Sequence, residues 1–574
     1  MRIISNPLNI DYKFQHSQHN ASAFREGADP TAVLFKGIYY LFFSMSGGFW
    51  YSDDLIEWKF HENHQIPIHF YAPDVRQVGE YLYFAASRKS KACPFMRSKD
   101  PLSDDFEIIS APFIFWDPDI FQDTNGRVYF YYKLSTGSAA GVEMDPKTMK
   151  PIGKKACLIQ SDPTKVGWER TTGFMPPKRS RNPFNKSELP SPTHVEGIFM
   201  TEHDGNYYIQ YASPATESLS YGDGVYISKD PLGTFKMQEH NPFSTVPGGF
   251  IKGAGHGSTF EDKHGNWWHF STMCITVNHI FERRIGLFPC GFDKDGLLFC
   301  NQYLADYPYK VPDGKFDPMK IRPEWMLLSY KKKASASSSQ VGHGPDLGTN
   351  EDIKTCWQAQ AANKGEWYQL DLGKICDVRA IQVNFADVNV PIKKVPRKLV
   401  AGEITLKRYI DLDSNLFTRF ILEGSVDGIN WNTISDKRNA QTNLGHDLIT
   451  CEEGIEAQFI RVTSEEMPYG VTMALSGLRV FGNDKSEKPD SPAPHAKRTG
   501  PMDATIDWEQ VNNAIGYVVS HGISPDKLYS SWTVYDTTHL EIPFLNASCQ
   551  QYYCRVDAFN GAGITNGTII QINL

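Results

Sequence analysis

The sequence predicts an all-β chain in three parts: a five-bladed β-propeller, then two β-sandwich modules. Three observations predict it. A glycine turn followed by an alternating aromatic strand recurs five times in the first 325 residues. A short strand carrying an acid or a histidine sits just before most of these repeats. Beyond about Leu327 the repeat stops and other β rhythms replace it.

The repeats read Gly37-Ile-Tyr-Tyr-Leu-Phe-Phe-Ser, Gly79-Glu-Tyr-Leu-Tyr-Phe-Ala-Ala-Ser, Gly126-Arg-Val-Tyr-Phe-Tyr-Tyr, Gly205-Asn-Tyr-Tyr-Ile-Gln-Tyr-Ala-Ser and Gly265-Asn-Trp-Trp-His-Phe-Ser. Asn125-Gly126 and Asp204-Gly205 are hairpin-turn pairs. A further strand follows in several units, as in Phe49-Trp-Tyr-Ser, Phe95-Met-Arg-Ser and Val225-Tyr-Ile-Ser. One such unit cannot bury both of its faces. Five arranged radially can, and that arrangement is a propeller.

The strand before each repeat carries Ala28-Asp29-Pro30, Ala72-Pro73-Asp74, Asp117-Pro118-Asp119, His194-Val195-Glu196 or Gly255-His256-Gly257-Ser258. The spacing to the repeat glycine is similar from Asp29, Asp117, Glu196 and His256. Innermost strands of a propeller line one channel, so equivalent positions converge there. Cleaving a glycosidic bond needs one carboxyl to protonate the leaving oxygen and another to activate water or attack. Neighbouring carboxyls push their pKa values apart. Asp29, Asp117 and Glu196 are therefore the candidate catalytic residues. Phe49, Trp50, Tyr71 and Trp116 are candidates to floor a sugar subsite, with Asp74 beside them.

Composition excludes other classes. The net charge is −8 and no long Lys/Arg run is present, which argues against a nucleic-acid partner. No stretch is apolar and long enough to span a membrane. Met1 to Phe14 shows no signal-peptide pattern. The expected location is a bacterial cytoplasm, or outside it after removal of a leader. The ten cysteines show no CxxC pair and read as free thiols in strands.

The five polar motifs, over roughly residues 20 to 310, resemble glycoside hydrolase family 43, whose wider relatives include families 62, 32 and 68. That resemblance implies a five-bladed propeller and inverting hydrolysis, with Asp29 as general base, Asp117 as the residue that raises and orients the acid, and Glu196 as general acid. Inversion implies a base-to-acid gap of about 6.5–9.5 Å. It further implies that His256 faces, directly or through water, a calcium or sodium ion at the axis, in a water-rich site because calcium prefers oxygen ligands. Arg284, or its neighbour Arg283, is the implied sugar-contacting arginine. Two features depart from the family pattern. Asp119 stands where many relatives have Ser, and the Pro-rich basic segment Met175 to Pro192 leads into Glu196 and is expected to close one side of the pocket.

Ala334-Ser-Ala-Ser-Ser-Ser, Trp357, Trp367-Tyr-Gln-Leu-Asp-Leu-Gly, Leu422-Glu-Gly-Ser-Val-Asp-Gly-Ile-Asn-Trp and Phe459-Ile-Arg-Val resemble a coagulation factor 5/8 type C (discoidin-like) domain, which implies a jelly-roll sandwich. The segment from Asp387 to Asn415 interrupts that pattern. The terminal module resembles fibronectin type III, an immunoglobulin-like sandwich. The expected domains are 1–325, 326–482 and 497–574, with a flexible, exposed linker at 483–496. The expected activity is exo-acting release of terminal α-L-arabinofuranose or β-D-xylose from plant oligosaccharides. The alternatives are a galactosidase or galactofuranosidase of the same fold, or a non-catalytic carbohydrate-binding protein. No organic cofactor is expected.

Overall fold

The computed structural model describes residues 2–17, 21–88, 91–171, 193–393, 408–549 and 551–573. The chain is all-β, and its helical pieces among the described residues are short 3-10 turns. None of its helices is long and apolar enough to cross a membrane, among the described residues.

Five antiparallel sheets, numbered in chain order, occupy the first half. They start with the strands Thr31–Phe35, Tyr71–Val78, Trp116–Gln122, Glu196–His203 and Lys252–Glu261, and each continues strand by strand along the chain. The hairpin after each leading strand turns on a glycine with positive φ: Gly37 at 84°, Gly79 at 59°, Gly126 at 84°, Gly205 at 69° and Gly265 at 77°. A side chain would have room at Gly37, Gly79, Gly126 and Gly205, so the left-handed backbone is what demands glycine there.

The second strands place alternate aromatics on opposite faces. Tyr39 and Leu41 pack with Trp268 and Phe270 of the fifth sheet. Tyr40 and Phe42 pack with Leu82 and Phe84 of the second. Tyr83 and Ala85 meet Phe130 of the third. Tyr129 and Tyr131 meet Ile209 and Tyr211 of the fourth. Tyr208 meets Met273 and Phe288 of the fifth. The sheets thus pack in cyclic order, and their leading strands touch in the same order, the fifth against the first.

Side chains at one repeated position fasten these junctions. Thr31 Oγ1 accepts the Val75 N–H at 3.3 Å. Asp74 Oδ2 accepts that of Ile120 at 2.7 Å. Asp119 Oδ2 accepts that of Met200 at 2.8 Å. Ser258 Oγ accepts that of Ala32 at 3.2 Å.

The second half forms an eight-stranded sheet built on the long strands Trp367–Phe385 and His446–Glu466, then a three-stranded and a five-stranded sheet at the end. These parts are not beads on a string. Trp168 shares a core with Trp532, Phe544 and Leu545. Leu304 and Tyr307 share another with Leu327, Phe481, Val518 and Phe559. The strand Arg408–Asp411 pairs with Lys13–Ser17, so the interrupted pattern at Asp387–Asn415 adds a strand to the N-terminal segment. The linker expected to be flexible is fastened down. Glu487 O accepts from Asn560 at 2.7 Å, Ser491 donates to Asn566 O at 2.9 Å, and Pro489, Pro492 and Pro494 are buried. All ten cysteines are free thiols.

Candidate active site

Each leading strand enters through one residue in the left-handed region. These are Asp29 (φ 54°), Ala72 (φ 45°), Asp117 (φ 50°), Gly197 (φ 59°) and His256 (φ 49°). Just after this point the register slips in the second to fifth sheets, between Tyr71/Pro73, Trp116/Asp119, Glu196/Phe199 and Gly255/Ser258. Such irregularities re-aim side chains at the end of a strand. Four sheets therefore deliver Asp29, Asp117, Glu196 and His256 to one place, and each feels the charge of the others.

Asp29 is only 7 % exposed and closely held. Its backbone N–H donates to Thr272 Oγ1 at 2.9 Å, and Ser44 Oγ donates to Oδ2 at 2.5 Å. Arg283 Nη1 and His256 Nδ1 each lie 3.3 Å from Oδ1. Glu26 accepts from the same guanidinium at 2.7 Å and fixes its orientation. Asp117 donates its backbone N–H to Ser87 Oγ at 2.7 Å. Glu196 has Lys133 Nζ 3.4 Å from Oε2, and the Tyr221 hydroxyl donates to Oε1 at 3.2 Å. The backbone N–H groups of His256 and Gly257 donate to the two oxygens of Asp223 at 2.8 and 2.9 Å, which pins the fifth strand.

Lys133, Arg283 and His256 thus face three carboxyls. Burial raises the Asp117 carboxyl, and Glu196 and Asp29 raise it further against the pull of Lys133 and His256. Burial also opposes ionisation of Glu196, but Lys133, His256 and His194 outweigh it and hold this carboxyl below its usual range. Burial pulls His256 down, yet Asp29, Asp117 and Glu196 outweigh that and raise it. The field therefore favours a proton on Asp117 and His256 and a charge on Glu196.

Several expected site residues lie elsewhere. Phe49 and Trp50 are fully buried, Phe49 in the core between the first and second sheets and Trp50 in that between the first and fifth. Neither can floor a subsite. Asp74 is not the second sheet's counterpart of Asp29; Ala72 is, by its left-handed backbone. Asp74 is buried against Thr31, Ile120 and Arg76. Arg284 is 1 % exposed and points away from the site, to His446, Asp387 and Arg25 O, so Arg283 is the arginine that reaches Asp29. Tyr71 lies close enough to Asp117 to feel its charge, and Trp116 hydrogen-bonds to Tyr71. Trp116 is 40 % exposed, and the Tyr71 phenol is raised by burial and then by Asp117.

The ion expected beside His256 finds no protein cage. Among the described residues no three His, Cys, Asp or Glu side chains gather as metal ligands, and His256 Nδ1 faces Asp29. Calcium takes six to eight oxygens, about which one imidazole says little. An ion beside His256 would therefore be held largely by water. The Pro-rich segment from Met175 to Pro192 lies outside the described residues.

Sequence reading missed Lys133, Tyr221, Ser44 and Glu26. Lys133 left a signal, a lone cation ending the aromatic run Val128-Tyr-Phe-Tyr-Tyr, directly opposite Trp116 in the sheet.

Paired carboxyls are the equipment that glycosidic hydrolysis needs. Residues 24–298 match the model of glycosyl hydrolases family 43. A search of curated proteins finds no match. Among solved structures, the chain is similar to a thermostable family-43 glycoside hydrolase at 22 % identity, covering 55 % of this chain and 98 % of the other, with a TM-score of 0.41. It is also similar to an α-L-arabinofuranosidase from Clostridium thermocellum at 15 % identity, covering 48 % and 93 %, with a TM-score of 0.34. A third similar structure is a family 43 protein of a Bacteroides ovatus xyloglucan locus, at 14 % identity, covering 83 % and 98 %, with a TM-score of 0.42.

Proposed function

We propose that the chain is an inverting, exo-acting glycoside hydrolase that removes a terminal α-L-arabinofuranose or β-D-xylose from oligosaccharides. Asp29 acts as general base, Glu196 as general acid, and Asp117 tunes the acid. The observation that carries this reading is the meeting of the three carboxyls, from three different sheets, with Lys133, Arg283 and His256 between them. Asp29 suits the base: hydroxyl, guanidinium and imidazole donors hold its oxygens in place, and a water hydrogen-bonded to it would be oriented for attack. Glu196 suits the acid by its partial exposure toward the site. Tyr71 and Trp116 suit the walls of a small subsite, since a sugar's apolar face stacks on aromatic rings.

The five sheets read as blades of a five-bladed propeller over 1–325, supported by the cyclic packing and the side-chain clasps. Residues 326–482 read as the factor 5/8 type C-like sandwich and 497–574 as the fibronectin type III-like one, joined by 483–496.

One observation favours a second division of roles. Asp117 is the raised carboxyl and Glu196 the lowered one, which suits Asp117 as proton donor. Strongly coupled groups titrate as a set, and a bound sugar changes the field that each one feels. The test of the function is hydrolysis of 4-nitrophenyl arabinofuranoside, xyloside, galactopyranoside and galactofuranoside by the native chain and by Glu196→Gln. Release from one sugar, lost in the variant, supports the reading and names the sugar. Equal release by both proteins would overturn the role of Glu196. No release from these or from polysaccharides would favour a binding protein.

A further inference from the structure

Arg283 reaches the proposed base, and Glu26 holds Arg283 in place. Their chain neighbours, Arg25 and Arg284, point the opposite way, as alternate residues of a strand must. Behind the site both meet Asp387, which belongs to the second module. Arg25 pairs with Asp387 Oδ1 through Nη1, and its backbone N–H donates to Oδ2 at 3.1 Å. Arg284 Nη2 donates to the same Oδ2 at 3.2 Å. All three side chains are almost fully buried.

The second module completes this cluster. Asn443 Oδ1 accepts from Arg25 Nη2 at 2.6 Å, and His446 Nε2 accepts from Arg284 Nε at 2.9 Å. His446 can accept because it is neutral. Burial lowers its pKa well below the usual range, and the charges of Arg284 and Arg25 lower it further. Its Nδ1 lies 2.8 Å from Asn384 Oδ1, which suits a proton on that nitrogen. Arg284 Nη1 in turn donates to Arg25 O at 2.6 Å and Arg283 O at 3.0 Å, clipping together the two segments that carry Glu26 and Arg283.

We propose that Asp387 is a positioning residue for the catalytic base, acting from the second module through Arg25 and Arg284 on Glu26, Arg283 and Asp29. The second module is then part of the catalytic unit and not only an appended binder. This rests on the reading of Asp29 as the base.

The test uses the full chain with Asp387→Asn, beside Asp29→Asn and the native protein, on 4-nitrophenyl arabinofuranoside, 4-nitrophenyl xyloside and the matching oligosaccharides. A small displacement of a reacting group costs up to about 100-fold in rate. The expected result is a fall in kcat of about 10- to 100-fold with KM held within about twofold, in a chain that still melts cooperatively. The crystal structure of the variant is expected to show the Arg283 guanidinium displaced from Asp29, a readout independent of turnover. A folded variant with native kcat and an unmoved Arg283 overturns the proposal. If Asp387→Asn does not fold, Asn443→Ala is the milder change on the same path, with the same two readouts and a smaller fall in kcat; native values there also overturn it. Activity in Asp29→Asn would instead refute the reading of the base. Loss in Asp29→Asn with native behaviour in Asp387→Asn refutes only the inference.

Discussion

Ser44 donates its hydroxyl to Asp29 Oδ2 at 2.5 Å, and the direction of this bond is set by a third group. Ser44 Oγ itself accepts the Ala72 N–H at 2.6 Å, which leaves its proton for the carboxylate. Ala72 occupies, in the second sheet, the position that Asp29 occupies in the first. The junction of two sheets thereby orients the proposed base. Hydrogen bonds to charged groups contribute about 1.5–3 kcal/mol. Ser44→Ala is expected to lower kcat/KM by roughly 10- to 100-fold in a chain that still folds, with a lower melting temperature because the buried Ala72 N–H loses its acceptor. Steady-state kinetics of the folded variant checks this, and an unchanged kcat/KM would refute it.

Asp119 is expected to serve stability. It is fully buried, accepts the Met200 N–H at 2.8 Å and takes Arg76 Nη2 at 2.6 Å. Asp119→Asn turns an amide N–H₂ toward a guanidinium or a backbone N–H and leaves Arg76 with Asp74, at 3.6 Å, and Met200 O as its partners. Leaving a buried donor without its acceptor costs about 1–3 kcal/mol. Denaturant unfolding of the variant measures the loss. A loss below about 1 kcal/mol, together with a collapse of activity in the folded variant, would make Asp119 a site residue instead.

The pH dependence of Asp119 follows from the same burial. Desolvation is the main cause that raises its carboxyl, with the charge of Asp74 added, against Arg76. A folded-state pKa above the unfolded value means that the native state binds the proton more tightly. The resulting stability is complete below the unfolded pKa and is lost as pH rises through the folded one. The native chain is expected to lose stability from mildly acidic to mildly alkaline pH, and Asp119→Asn to show a flatter profile. Melting temperatures across that range decide it.

Much of this site was legible in spacing. Asp29, Asp117, Glu196 and His256 recur at similar distances before a turn glycine, and the structure brings them together because those glycines all turn equivalent hairpins. Which face a strand residue takes was not legible. Arg284 lies on the wrong side because one step along a strand reverses the face, whereas Phe49 and Trp50 take opposite faces of a strand that is buried on both. Asp74 misled for a related reason. The second sheet has an acid two residues beyond the ring position, where it joins sheets. Asp387, 103 residues from Arg284, had no local signal at all, since its partner is chosen by the docking of a second module.

Among the charges around Glu196, Lys133 does most to lower its carboxyl against burial. Its ammonium lies 3.4 Å from Oε2, and His194, His256, Asp29, Asp117 and Tyr221 also face that carboxyl. A cation favours the carboxylate, so removing it raises the pKa of Glu196. A general acid works only while protonated, so the alkaline limb of the kcat/KM profile is expected to move to higher pH in Lys133→Met. A limb that moves down, or does not move, would contradict Glu196 as the acid.

The stereochemical outcome is a separate test. Proton NMR of the first sugar released is expected to show the anomer opposite to that of the substrate linkage. Retention would replace the water-activating base with a nucleophile and require a shorter distance between the two carboxyls, about 5–5.5 Å.

Whether Glu196 protonates the leaving oxygen while Asp29 activates water is decided by comparing two leaving groups. A 2,4-dinitrophenyl glycoside departs without a proton, whereas an unactivated oligosaccharide needs one. General acid catalysis contributes about 10²–10⁴-fold. Glu196→Gln is expected to lose about that factor on the oligosaccharide and to keep near-native turnover of the dinitrophenyl substrate, while Asp29→Asn loses both. If Asp117→Asn shows the selective rescue and Glu196→Gln does not, Asp117 is the acid and Glu196 is not.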